Sequence, residues 1–379
     1  MKILMLNYEY PPLGGGAAPV TKFLAEELVH QGHSVDVVTM GYKGLPEDEI
    51  LNGVRIYRVP SLRKKIEMCT FHEMLTYCIS ASFFLPALFK ENDYDINHTH
   101  FIIPTGFVSS LFYKKVPYII TAHGSDVPGY NPDRFNFLHI LIKPFSTFIL
   151  NRARCITSPS GHLKGEIQKN FGNRKIAVVP YGISADAYLP GKKENKILTA
   201  SRLFERKGIQ YVIEAMTEIE GCEYIICGEG PYRPQLEKQI ERLNLGHKVK
   251  LRGHLNPDRL KKEYESAAIF VLPSASENFP VVLMEAMAAG CAIITSETTG
   301  CAEVVGDTAL LVQPKDTKGI QKALLSLLQD QDLILDLGTR GRARVEREFT
   351  WKRVAEKYVH YYAGAIEGEE DFQKRLRSQ

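Results

Sequence analysis

Short β-branched runs alternate with stretches of helical periodicity along most of the chain, and this alternation constrains its fold more than any other feature. Strands are expected at 2–6, 34–39, 54–59, 96–99, 117–122, 155–158 and 176–179, and again at 197–200, 224–227, 249–251, 269–272, 292–295 and 309–312. Strands separated by helices form parallel sheets with helices packed over them. Between the first two strands Pro19 stands near a helix start, Val20, Phe23, Leu24 and Leu28 share one face, and Gly32 stops the helix, which makes a βαβ unit. The pattern lapses in YGISADAYLPGKKENK, residues 181–196, a composition suited to a linker. Two doubly wound α/β domains are therefore expected, 1–185 and 186–354, with helices alone after Lys315. In open parallel sheets ligands bind beyond the carboxyl ends of the strands, so with two domains the deepest crevice is expected between them and functional residues just after strands.

The length of 379 residues fits two to three domains, and 44% hydrophobic with 24% charged residues is enough to build a core in each. Forty-seven basic against 44 acidic residues leave a net charge of only +3, which argues against nucleic acid as a partner. Seven cysteines without a CxxC pair read as reduced core thiols and hence as a cytoplasmic protein. MKILMLNYEYPP is too short in apolar residues for a signal peptide and reads as a first strand. The longest uncharged run, Met74 to Phe89, contains Pro86 and falls short of a membrane span.

Several post-strand loops carry chemistry. Gly14, Gly15 and Gly16 precede a helix, where glycines permit a tight turn and bring backbone N–H groups near an anion; a plain strand-to-helix turn reads equally well. The third glycine of the dinucleotide fingerprint is replaced by Pro19, which disfavours a nicotinamide enzyme. SRLFERKG places Arg202 and Lys207 after the first strand of the second half, a suitable receptor for a diphosphate, or else two surface cations. CGEGP, from Cys227 to Pro231, again sets glycines after a strand, where backbone passes close to a ligand or a helix. In SASENFPVVLMEAMAAG, Pro280 suits a first helical position, with Glu277 in the loop before it and Glu285 about two turns inside. A carboxylate beside a helix N-terminus can accept hydrogen bonds from sugar or ribose hydroxyls, or simply complement the helix dipole. His123, in TAHGSDVPG, follows a strand and is either a ligand for a hydroxyl or a structural histidine bonded to backbone. His98 and His100 alternate on one strand face without a third metal ligand at a telling spacing, and Asp93-Tyr94-Asp95 precedes its strand, at the wrong end of the sheet for a metal-held diphosphate.

In order and spacing, the Gly14–Gly16 loop, HQGHSVDVVT, HGSD from His123 to Asp126, SRL with RKG, GEGP and the Glu277-x7-Glu285 element resemble the retaining glycosyltransferases of family four. The resemblance covers nearly the whole chain. It implies the GT-B fold, α/β with two Rossmann-like doubly wound domains facing an interdomain cleft, and a last helix, about 355–379, that packs back on the first domain. It further implies that Arg202 and Lys207 hold the diphosphate of a nucleotide-sugar donor, UDP- or GDP-linked, aided by Gly15 and Gly16. Glu285 would take the ribose hydroxyls. Glu277, with Asn278, Phe279 and Pro280, would line the sugar pocket, and His123 would touch the sugar from the first domain. Asn278 and Pro280 stand where many members carry glycine.

The reaction implied is transfer of a hexose to a glycan or lipid-linked acceptor with retention, no metal and no cofactor, the cations and a helix N-terminus stabilising the departing diphosphate. A nucleotide-sugar epimerase of the same fold is the alternative, and a non-catalytic nucleotide-sugar sensor a further one. Basic Ser61–Lys65 before the apolar stretch Met68–Leu88, and a second apolar stretch, Phe135–Leu150, read either as core helices with solvated flanks or as a peripheral site for an anionic membrane, on the inner face of the cell membrane.

Overall fold

The computed structural model describes residues 1–128 and 136–368, with side chains throughout these except at 136–141 and 299. Phe135, the start of the second apolar stretch, and 369–379, the end of the expected last helix, lie outside the described residues.

The chain divides into two units, Met1–Gly182 with the segment from Trp351, and Ile183–Thr350. The first is built on an eight-stranded sheet: β1 (Lys2–Leu6), β2 (Ser34–Met40), β3 (Asp48–Leu51), β4 (Val54–Val59), β5 (Ile96–His100), β6 (Tyr118–Thr121), β7 (Cys155–Ser158) and β8 (Ile176–Val178), in the order β3-β4-β2-β1-β5-β6-β7-β8. All pairings are parallel except β3 with β4. The sheet is covered on both faces, as β1 shows residue by residue. Ile3 and Met5 pack with Val20, Leu24 and Leu28 of helix Ala17–His30, whereas Leu4 and Leu6 pack with Tyr77, Ala81 and Leu85 of helix Phe71–Glu91. Each such fully buried aliphatic side chain contributes about 1.5–3 kcal/mol of transfer free energy.

Helix Trp351–Glu367 belongs to this first unit, where Val354, Tyr358 and Tyr362 enter the same core as Ile3 and Met5. The division falls at Gly182 and Trp351, a few residues before the expected 185 and 355. The reason is local: a Cβ on Gly182 would lie 2.5 Å from the Trp351 ring, while Ile183 N–H, in the other unit, donates to Phe349 O at 2.7 Å.

The second unit has six parallel strands, β9 (Glu194–Ala200), β10 (Glu223–Cys227), β11 (Val249–Gly253), β12 (Ala267–Leu272), β13 (Ala292–Ser296) and β14 (Ala309–Val312), ordered β11-β10-β9-β12-β13-β14. The chain reverses direction across the sheet between β9 and β12, so the loops after these two strands diverge around the topological switch point. All seven cysteines are free thiols, six buried and Cys155 half-buried. No described helix is long and apolar enough to cross a membrane.

Candidate functional site

In the second unit the loops after β9, β10 and β12 brace one another. The β9 loop, Ser201–Gly208, ends in a single 3-10 turn before helix Ile209–Ala215. Gly208 has φ +74°, and a Cβ there would lie 2.4 Å from Pro273 O, so only glycine allows the two loops this approach. Arg206 O accepts from Ala275 N–H (2.8 Å) and from Ser274 Oγ (3.2 Å). On the other side Gly228 and Gly230 press against Ser201 O and Leu203 O, where added Cβ atoms would fall 1.9 and 2.3 Å away. The glycines of CGEGP thus let the β10 loop back the loop that carries Arg202 and Lys207.

On this scaffold Lys207 Nζ forms an ion pair with Glu277 Oε1, both side chains about seven-eighths buried. Two residues expected to grip different parts of one ligand are thus joined directly. Arg202 is exposed, and its guanidinium has no hydrogen-bond or ion-pair partner among the described residues. Asn278 and Phe279 are buried, and the Phe279 ring meets Phe349 edge-on at 5.7 Å. Pro280 is the N-cap of helix Val281–Ala288 rather than its first residue, because its ψ of 103° is still extended. Pro280 itself offers no capping side chain and no acid lies in the first turn of this helix.

Glu285 consequently lies little more than one turn into that helix, not two. Its Oε2 accepts the Tyr264 hydroxyl at 2.7 Å, and Tyr188 adds a second hydrogen bond. Burial raises the carboxyl above its ordinary value, partly offset by the two phenols. Sequence reasoning missed both tyrosines, since nothing local links 188, 264 and 285. It also missed Gly300, whose Cβ would fall 1.8 Å from Asn278 O and whose N–H donates to Glu277 O at 3.3 Å. The TTG at the end of β13 was the available signal.

In the first unit, the loop after β1 has Gly14 at φ +105°, with its N–H on Ile66 O at 2.9 Å. Gly15 N–H is held at 3.1 Å by Oε2 of Glu9, a buried carboxylate that sequence reasoning did not single out, with Arg63 at 3.9 Å from its other oxygen. An anion approaching Gly15 must compete with that carboxylate. Gly16 is the N-cap of helix Ala17–His30, whose first turn holds no acid.

His123 follows β6 and joins a row of nearly coplanar rings. Its Nε2 meets His100 Nδ1 at 3.1 Å, its Nδ1 meets the Tyr181 hydroxyl at 2.8 Å, and the ring planes differ by 18° and 22°. His100 Nε2 is buried without a hydrogen-bond partner among the described residues. A lone pair left unpaired there is easier to accept than an unpaired N–H, so His100 donates from Nδ1 and His123 carries its proton on Nδ1, toward Tyr181. Asp126 organises the turn by accepting from the N–H groups of Ile102, His123 and Gly124 at 2.7–3.0 Å. His98 is spent on Tyr362 and Thr121, both at 2.7 Å. Burial drives His98 and His123 down to about 3 and His100 well below its ordinary value, so all three rings are neutral at neutral pH. Lys2 N–H binds Asp95 at 2.7 Å, which uses that residue at the strand's amino end.

Two α/β units, one on a mainly parallel sheet and one on a fully parallel sheet, give the architecture of the GT-B fold. Solved structures share this fold: sucrose-phosphate synthase from Thermosynechococcus elongatus (TM-score 0.81, 22% identity, 96% of this chain and 98% of that one) and Anabaena HepE in complex with UDP and glucose (TM-score 0.76, 17% identity, 96% and 100%). Residues 184–344 match the family model of glycosyl transferases group 1, and residues 14–187 that of glycosyltransferase family 4. An uncharacterized glycosyltransferase of Methanocaldococcus jannaschii is 31% identical over 403 residues (97% of this chain, 99% of the relative), and the glycogen synthase of Mycobacterium tuberculosis 26% over 406 residues (99% and 98%). The chain belongs to glycosyltransferase family 4.

Proposed function

We propose that the protein transfers a hexose from a UDP- or GDP-sugar to a glycan or lipid-linked acceptor, with retention and without a metal. The observation that carries this reading is the braced loop bearing Arg202 and Lys207, with Lys207 on Glu277 and the N-terminus of helix Val281–Ala288 nearby in sequence. HepE, of the same fold, is seen with UDP and glucose, and relatives include a glycogen synthase.

Donor diphosphate meets Arg202 and Lys207, whose positive charge stabilises the negative charge that grows on the leaving group. Glu277, drawn partly from Lys207, accepts sugar hydroxyls, and Glu285 accepts from the ribose with its geometry fixed by Tyr264 and Tyr188. The bond from the anomeric carbon to the phosphate oxygen breaks while the acceptor oxygen bonds that carbon on the same face, its proton passing to a donor phosphate oxygen. His123, whose nitrogens already serve His100 and Tyr181, binds the sugar only by exchanging one of them. Gly15 likewise binds a phosphate oxygen only in place of Glu9.

A cytoplasmic enzyme at the inner face of a membrane fits a lipid-linked acceptor. A panel of nucleotide sugars tested by thermal shift, followed by product analysis with and without acceptor, decides the matter. Binding of a UDP- or GDP-sugar, with new product only when acceptor is present, supports transfer. Conversion of donor alone into its epimer sinks it.

A further inference from the structure

We propose that one side of the first unit, formed by helices Phe71–Glu91, Thr105–Leu111 and Asn136–Arg152, is a docking surface for an anionic lipid bilayer. The proposal deepens the membrane reading above and does not depend on the donor chemistry.

Helix Phe71–Glu91 buries Tyr77, Cys78, Ala81, Leu85 and Leu88 in the sheet. Its other face shows Phe71, Leu75, Ile79 and Phe83 at a spacing of four residues, 45–81% exposed. At 1.5 Å per residue this line runs about 18 Å. A solvated flank would carry polar residues at those positions. The second helix packs beside this one and the third beside the second. Between the latter two lies a groove of about 620 Å³ lined by Phe107, Leu111, Phe145 and Phe148, with Lys114 and Arg152 at its edge. Eleven of the nineteen large apolar side chains exposed among the described residues fall in 62–83 or on these two helices, so exposure is concentrated in these adjoining segments rather than scattered along the chain.

Charge selects the occupant. The exposed charges of 61–83, 107–115 and 142–152 are Lys64, Lys65, Lys114, Lys115 and Lys143 against the single acid Glu67. Arg152 adds a sixth cation, its guanidinium 3.7 Å from the Phe148 ring centre and 4.4 Å from that of Tyr113, which holds the charge at the groove edge. A second copy of the chain would set the same cations against one another, and protein interfaces are poor in lysine. A bilayer accepts rings at the boundary of headgroup and acyl chain while lysines reach lipid phosphates, the division of labour seen in interfacial amphipathic surfaces.

The full chain is to be sedimented with vesicles of neutral phosphatidylcholine and with vesicles containing roughly a third phosphatidylglycerol. Partitioning at least about tenfold stronger on the anionic vesicles, and weakened by salt, is expected. The double variant Phe83→Ser, Phe148→Ser should lose about tenfold on both vesicles, and Lys114→Glu with Lys143→Glu should erase the anionic preference. All four positions are exposed, so unchanged thermal melts and an unchanged nucleotide thermal shift serve as folding controls. Equal or absent binding to the two vesicles, or binding untouched by either variant, overturns the proposal. So does light scattering that shows a dimer broken by the phenylalanine pair while vesicles remain unbound. Vesicle binding without any nucleotide shift would sink only the donor reading, and a nucleotide shift without vesicle binding only the surface.

Discussion

Lys207→Met removes one ammonium and keeps most of the aliphatic stem, so it isolates the charge that the donor reading needs. In the ligand-free chain this charge is not idle, because it neutralises Glu277 in a largely buried pair. A charge-assisted hydrogen bond contributes about 1.5–3 kcal/mol, and the middle of that range corresponds to roughly a fortyfold weaker nucleotide diphosphate. With nucleotide at about 100 times its dissociation constant, binding stabilises the wild type by about 2.7 kcal/mol. After a fortyfold loss the same concentration supplies about 0.7 kcal/mol. For a unit of this size, the thermal shift should fall from about 5–10 °C to about 2–3 °C. Turnover should fall further, by about 10²-fold, because the charge on the leaving group is larger in the transition state. Glu277→Gln distinguishes this account from general damage: it frees Lys207 from its anionic competitor, so the diphosphate shift should hold or grow while sugar transfer drops. An undiminished shift in Lys207→Met, or an equal loss in both variants, would refute the reasoning.

Three further outcomes follow from particular contacts. The depressed histidines make the unfolded chain bind more protons than the native one, so their contribution to the first unit is complete above about 6.5 and is lost as pH falls toward 3. Urea melts should lose up to about 1.4 kcal/mol per pH unit for each histidine, with one proton fewer in His98→Asn, and a flat profile between neutral and acid pH would contradict it. Gly300→Ala should destabilise the second unit by about 1–3 kcal/mol and raise donor KM, since the Asn278 carbonyl must move; a melt and KM equal to wild type would show that the loop is not set there. Nitrogen-15 spectra should show His123 protonated at Nδ1 and mixed tautomers in Tyr181→Phe, whereas an Nε2–H ring in the wild type would reverse the assignment.

How far the sequence spoke depends on whether the cause of a feature is local. Strands β10, β12 and β13 are legible because sheets covered on both faces require apolar β-branched runs, and EYIIC, AAIFVL and AIITS supply them. Strand β3, DEIL, escapes because it is an antiparallel edge strand with three exposed residues and one half-buried, so no burial disciplines its composition.

The same division runs through the site. Arg202, Lys207 and Glu277 could be picked out because a loop at a strand's carboxyl end needs a reason to carry them. Their pairing could not, since 70 positions separate Lys207 from Glu277. The glycines are the instructive case. Gly228 and Gly230 show in composition that backbone comes close to something, but the chain says nothing of what approaches, and Gly300 was not singled out at all. In each case the neighbour is another loop of the same unit: Ser201, Leu203 and Asn278. The steric need that looks like room for a ligand is here room for a brace, so the backbone of the loop that carries Arg202 and Lys207 is set by neighbouring loops. Mutations at these glycines should then resemble Lys207→Met in their effect on donor binding while differing from it in stability, which Lys207→Met perturbs only through Glu277.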